Sequence, residues 1–420
     1  MTRALGYWNS PWPAEDGGPT RQQRVAGHHG LAPGPYERFE VVHRLNIATT
    51  MVVRKDQGEL FLLSHDVGGD APCHVEQIDP ITLETLARSA DLPGGPIWPG
   101  GLAVHRNGDL YVVFGNHAHR LNPSLERVAS ITLPRHAPYN SFVILDSGYL
   151  ATKDFGGRLP DGREFSDSTE LLILDPETLA ICASIDIDQG SIARLSAEGE
   201  QIVLVGVDEV FTFAFNADDQ TIEETSRTRY RTLDGQTYGW DPVLVGNCAW
   251  FLDNGEGSEA FDGSFRGKGI SQAPLHLVRV DLSTHEVQLT EIAGLPNGLI
   301  ANPPIIDPVR MIAVGYDSSN SVLTGFHLDE EGVTSVAWSR QQDHASHLVL
   351  LDEPGQLVTF DFETGGTDDL VVLDITTGEE LARVSTESPV QSVLFPTPGE
   401  NRDLYYCSLT SISRVAVVHV

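Results

Sequence analysis

Lysine is nearly absent from the 420-residue chain: Lys55, Lys153 and Lys268 are the only three among 27 basic residues. Acidic residues number 59 and the formal net charge is −32. A surface of that sign repels phosphate backbones and anionic lipid headgroups, which argues against nucleic acid or a membrane surface as a partner. Cysteine is scarce as well. Cys73, Cys182, Cys248 and Cys407 form no CxxC pair. Three of them fall in apolar strand patterns, where a thiol behaves as a small hydrophobe, so a reducing, cytoplasmic setting is expected. No run approaches the roughly 18 apolar residues of a membrane span, and residues 1–35 lack the apolar core of a secretion signal. The chain also lacks a GxSxG elbow, an HExxH helix, a CxxCH haem site and a GxxxxGK[ST] phosphate loop.

What the chain has in abundance is turns, with Gly 40 and Pro 25. One pattern recurs: an apolar alternating run reaches Asp or Asn, crosses a short polar turn and resumes. The corner residues are Asp79, Asn122, Asp175, Asn216, Asp281, Asp329 and Asp374. Their side chains accept nearby backbone N–H groups and suit a turn, so each copy reads as a β-hairpin. A second turn-and-strand element precedes each hairpin, as in GELFLLSHD, GDLYVVFGN and NCAWFLDNG. Four antiparallel strands at a period of roughly 40–65 residues are the signature of propeller blades.

The eighth copy supplies VQSVLFP, RDLYYCSL and SRVAVVHV, then stops at Val420 without a fourth strand. YERFEVVHRL, from Tyr36 to Leu45, has the pattern of that missing outer strand. The expected fold is therefore all-β: a β-propeller of eight four-stranded blades over residues 36–420, closed by pairing of N- and C-terminal strands. Seven blades with an irregular end is the alternative. Residues 1–35 read as an irregular arm.

In such a ring the starts of first strands and the ends of second strands meet at one axial mouth. Residues falling there include Trp98, Asn140, Asp241, Asn297, Asp343, His344 and His347, with His65, His117, Lys153, Asp154, Asp253, Tyr316, Asp317 and Asp361. Oxygen-rich rims suit a hard divalent cation, calcium first. Histidines such as His65 and His347 suit acid–base work. Two long loops, Phe155 to Ser168 and Asn254 to Ala273, border the same mouth as candidate lids.

Pro296-Asn297-Gly298-Leu299 leads to a strand ending Gly315-Tyr316-Asp317-Ser318, and Tyr139-Asn140-Ser141 leads to one ending Lys153-Asp154. These segments resemble the Asn blades of the SMP-30/gluconolactonase group of calcium-dependent lactonases and esterases. The resemblance covers about a third of the chain by motif. It implies metal ligands among Asn140, Asn297, Asp317 and Asp154, with Asp343 standing where that group has a metal-bound general base, and Asp241 of the oxygen-rich rim is a further candidate ligand. Gly95-Pro96-Ile97-Trp98 is similar to the group's blade start, but Gly94 stands where its ligand Glu would be. The group also has six blades, so Asn140 and Asn297 fall nearly opposite each other here.

Two functions follow. One is a metal-dependent hydrolase of a lactone or small ester, with Asp343, His347 or His65 activating water. The other is a non-catalytic propeller that binds a small ligand or a partner protein. A quinone-type oxidoreductase shares the eight-blade count, but its tryptophan-docking periodicity is missing from six scattered tryptophans.

Overall fold

The computed structural model describes residues 4–68, 70–97, 99–155, 167–363 and 365–420, with Asn140 described by its backbone alone. Trp98 and most of the Phe155-to-Ser168 loop lie outside the described residues. Eight antiparallel sheets follow one another along the chain. Blades 1 to 7 span 49–88, 101–132, 139–187, 196–229, 243–291, 305–341 and 349–388. Blade 8 takes three strands from 397–419 and its outermost from Glu37–Leu45, which pairs antiparallel with Ser411–His419 from Glu37↔His419 to Leu45↔Ser411. The eight-bladed ring and its closure are those expected from the strand count.

Each of the seven Asp/Asn corners works as its chemistry requires. Asp79 Oδ1 accepts the Ile81 and Thr82 N–H groups at 2.9 and 2.8 Å. Asp175 and Asp374 repeat this with the second and third residues that follow. The turn then needs one left-handed residue, held by Leu83 and Leu179 (φ 62 and 61°) but by Gly378 (φ 70°) in blade 7. Glycine is required there because a Cβ would lie 2.5 Å from the Trp338 ring.

Burial follows radius. Second strands are buried on both faces, as in Leu60–His65 and Ile312–Asp317, while the outer strand Thr221–Arg229 alternates between exposed and covered residues. Neighbouring blades share apolar seams, such as Leu171 and Ile173 of blade 3 against Phe211 and Phe213 of blade 4.

First strands have one edge paired within the blade and one edge facing the axis, where bare N–H and C=O groups need partners. The N-terminal arm supplies them. Its Trp12 carbonyl accepts the Arg54 N–H, Pro13 that of Val104, Pro19 that of Ala197, Thr20 that of Leu244 and Gln23 that of Leu350, all at 2.8–2.9 Å. Arg24–Val25 pairs in parallel with Val349–Leu351. These are the first strands of blades 1, 2, 4, 5 and 7, so the arm is an internal plug of the channel.

At its tip Arg21 is fully buried, with Nη2 2.6 Å from Glu15 Oε1, Nη1 3.1 Å from Asp16 Oδ2 and Nε donating to the Leu195 carbonyl at 2.9 Å. Removing one member of a buried charge network strands its partners in a low-dielectric interior. We expect Arg21→Met to lose about 3–5 kcal/mol of stability. Arg38→Met, at an exposed pair with Glu40 4.0 Å apart, should stay within about 0.5 kcal/mol of the parent. Urea unfolding of both variants checks this, and equal midpoints would refute the plug's role.

Candidate axial site

The lead-in residues of the first strands converge on the arm tip. Arg194, entering blade 4, lies with Nε 3.3 Å from Glu15 Oε2 and Nη1 3.4 Å from Asp241 Oδ2 of blade 5. Its guanidinium crosses the channel to stack at 4.7 Å on Phe395, which enters blade 8 on the opposite side. His347, entering blade 7, packs against the same Phe395 ring at 4.1 Å and places Nδ1 2.7 Å from Asp16 Oδ1. Asp16, Arg21, Asp241 and His347 are each at most 3% exposed. Burial by itself would raise the Asp16 pKa, but His347, then Arg21 and Arg194, hold its carboxyl below the usual range. The Tyr316 phenol is pushed up by burial, with the Asp241 and Asp16 charges adding to the effect.

The arrangement sets an imidazole at ion-pair distance from a carboxylate and joins it to a guanidinium across one aromatic ring, and neither imidazole nitrogen makes an aligned hydrogen bond among the described residues. On the arm's own face a cleft of about 740 Å³ is bordered by Tyr7, Trp8, Asp16, Gln22, Arg24 and Glu198. Asp16 therefore belongs both to this cleft and to the axial cluster. The cleft lies on the side away from the mouth on which sequence reasoning concentrated.

Of the residues expected at the mouth, His347 and Asp241 join this cluster. The others are engaged locally. Asp154 accepts the Glu170 N–H at 2.6 Å and pairs with Arg135 at 3.0 Å. Asp317 Oδ1 accepts the Leu299 and Asn320 N–H groups at 3.2 and 3.1 Å. Asp253 and Asp361 hold the His276 and Asp343 N–H groups in the same way. Asn297 is exposed in a left-handed turn (φ 61°), and the Asn140 side chain lies outside the described residues.

Asp343 is gripped by Arg266 at 2.9 Å and Gln391 at 2.9 Å, and burial raises its pKa. His65 Nδ1 sits 2.8 Å from the Asp66 carbonyl, its ring lies 4.9 Å from that of Phe114, and burial lowers its pKa. Among the described residues no group of three or more His, Cys, Asp or Glu is gathered to hold a metal. The expected ligands Asp154, Asp241 and Asp317 do not meet around one ion, and the oxygen-rich rim is a set of turn acceptors and ion pairs. At Gly94, where the lactonase-like pattern has a ligand Glu, a Cβ would stand 1.8 Å from the Ala71 carbonyl oxygen, so no side chain fits.

The 254–273 loop does cross the mouth. Arg266 reaches Asp343 and Ser321, the Phe265 N–H donates to Gln391 Oε1 at 2.8 Å, and the Gly263 carbonyl accepts the Gln391 N–H at 2.9 Å. The loop of blade 5 is thus pinned over blades 6, 7 and 8. Sequence reasoning missed Glu15, Asp16, Arg21 and Arg194. The only local signal was a charged cluster in an arm with no strand period.

Beside Gln391, Asp368 is fully buried and receives the Ser392 N–H at 2.8 Å and the Tyr406 hydroxyl on the same oxygen. Burial pushes its pKa up to about 8, with Asp343 and Asp361 adding to the rise. The folded state thus keeps a proton that the unfolded chain releases near pH 4, so stability falls as pH rises from about 4 to 8, by about 1.4 kcal/mol per pH unit at most. Asp368→Asn should flatten that slope. Thermal unfolding at pH 5, 6, 7 and 8 measures it, and parallel curves for the two proteins would count against a protonated Asp368.

No family model and no curated protein matches the chain. Among solved structures it is similar to a europium-containing methanol dehydrogenase, with TM-score 0.62, 10% identity and 98% of each chain covered. It is also similar to the computationally designed Ika8 protein, with TM-score 0.57, 10% identity, 95% of this chain and 99% of that one. BamB from Moraxella catarrhalis gives TM-score 0.55, 11% identity, 89% of this chain and 98% of that one. At such identities the likeness carries the fold: the chain is an all-β, eight-bladed propeller.

Proposed function

We propose that this propeller is a hydrolase of small neutral esters or lactones in which His347 is the general base. The observation that carries the reading is the buried Asp16–His347 pair with Nε2 uncommitted beside Arg194. Nε2 takes the proton of a water as it attacks the carbonyl carbon, and the imidazolium returns that proton to the departing alkoxide oxygen as the acyl–oxygen bond breaks. Asp16 at Nδ1 fixes the tautomer and stabilises the imidazolium that forms. Arg194, on the same Phe395 ring, stabilises the oxyanion. Three carboxylates (Glu15, Asp16, Asp241) face two guanidiniums, Arg21 and Arg194, an excess of negative charge that disfavours an anionic substrate.

The calcium-dependent version of this hydrolase fits the residues poorly. Three of its expected ligands, Asp154, Asp241 and Asp317, already hold backbone N–H groups or arginines, so no step is routed through an ion. The complete burial of Asp16 and His347 favours a second reading, a non-catalytic propeller that binds a small ligand or a partner protein.

A panel of short-chain esters and small lactones, assayed before and after exhaustive chelation, separates these readings. We expect His347→Gln and Asp16→Asn to lower kcat by about 10²–10⁴-fold, with Asp343→Asn changing it less than about threefold and chelation leaving it unchanged. Loss on chelation that calcium restores, together with inactivity of Asp343→Asn, would return the reaction to the metal-dependent form. No turnover on any member, with a ligand that raises Tm, would replace it with the non-catalytic reading.

A further inference from the structure

The cleft on the arm's face has a volume of about 740 Å³, within the range of small-molecule sites. Its walls are fixed by the backbone. The Trp8 N–H donates to the Val104 carbonyl at 3.0 Å, the Ala197 N–H to that of Pro19 at 2.8 Å and the Asp146 N–H to that of Gly199 at 3.3 Å. The arm and the corners of blades 3 and 4 therefore present one preformed hollow, which spares a ligand the cost of ordering it. We propose that this cleft binds a small organic cation, an amine carried on an aromatic or other apolar body.

The aromatic surface comes from Trp8, which is partly buried and lines the cleft. Its indole N–H is taken by Asp56 Oδ1 at 3.0 Å. The ring already attracts one cation, with Lys55 Nζ 5.2 Å from its centre. The charge of the lining points the same way. Asp16, Asp146 and Glu198 border the cleft against one cation, Arg24. Arg24 is committed elsewhere, with Nε 2.9 Å from Asp352 and Nη2 3.9 Å from Asp307. Asp16 is matched by Arg21 and His347. Asp146 accepts the Leu5 N–H at 2.8 Å, and the Glu198 side chain is exposed. Neither of these two has a cationic partner among the described residues. A ligand ammonium supplies the missing charge, a neutral sugar leaves both carboxylates unmatched, and an anion is repelled by them and by the net charge of −32.

Binding in the cleft does not depend on hydrolysis at His347. Isothermal titration calorimetry of the intact protein at pH 7 tests it with 2-phenylethylamine, the neutral 2-phenylethanol, the anionic 3-phenylpropionate and methyl glucoside. The amine should bind at least about tenfold more tightly than the alcohol, with no heat from the anion or the glucoside. Glu198→Gln, at a side chain that holds nothing in the fold, and Trp8→Leu should each weaken the amine by about fivefold or more. Glu330→Gln, an equal loss of charge at an exposed corner of blade 6, should change its affinity less than about twofold.

Amine binding should persist in His347→Gln. No binding of the amine, equal affinity for amine and alcohol, or binding of the glucoside in its place overturns the inference. So does an amine affinity untouched by both Glu198→Gln and Trp8→Leu. Loss of amine binding in His347→Gln, with Glu198→Gln unaffected, overturns it as well by placing the amine in the axial cluster. Tight amine binding by a protein that turns over no ester or lactone instead overturns the hydrolase reading alone.

Discussion

The inner edges of the first strands set the terms for the rest of this molecule. A ring of blades turns those edges toward its own axis, and each unpaired N–H or C=O there costs free energy unless something bonds to it. Water would satisfy an open channel. Here a polypeptide arm does so instead, hydrogen-bonded to the first strands of five blades. Glu15, Asp16 and Arg21 are therefore carried into the ring and buried there.

Burying three such groups together is tolerable only if their charges are matched nearby. The ring meets that demand from several blades at once, with Arg194 from blade 4, Asp241 from blade 5 and His347 from blade 7. Arg194 reaching Phe395 on the opposite blade ties the two sides of the channel together. Chemistry and stability share the same atoms here. The Asp16 carboxylate that helps hold the arm tip through Arg21 also orients the His347 imidazole. This coupling explains why the arm is integral to the site and why the mouth, although rich in carboxylates, is not where the charges concentrate. Its acids are spent on corners: Asp154, Asp253, Asp317 and Asp361 each hold a backbone N–H that begins a neighbouring segment.

What could be read along the chain was whatever chemistry acts over a few residues. Asp79, Asp175 and Asp374 cap turns two and three residues downstream, so the hairpins, their number and the orphan strand Glu37–Leu45 were all legible. The position of Asp317 near the mouth was legible too, but its role was not, because the same carboxylate serves equally as a turn acceptor or a metal ligand until the Leu299 and Asn320 N–H groups are seen to occupy it. His347 was singled out without its partner. Asp16 lies more than three hundred residues earlier in a segment with no period to place it.

The amino-acid sequence by itself thus determined an eight-bladed, all-β ring and its closure, because alternating burial recurs in every blade and Asp/Asn turn chemistry in seven of them, both being local properties. The tertiary structure alone decided that residues 4–25 fill the channel and which carboxylate meets which base. An irregular segment has no pattern of its own: its conformation is dictated by bare strand edges and unmatched charges that exist only once the ring has closed.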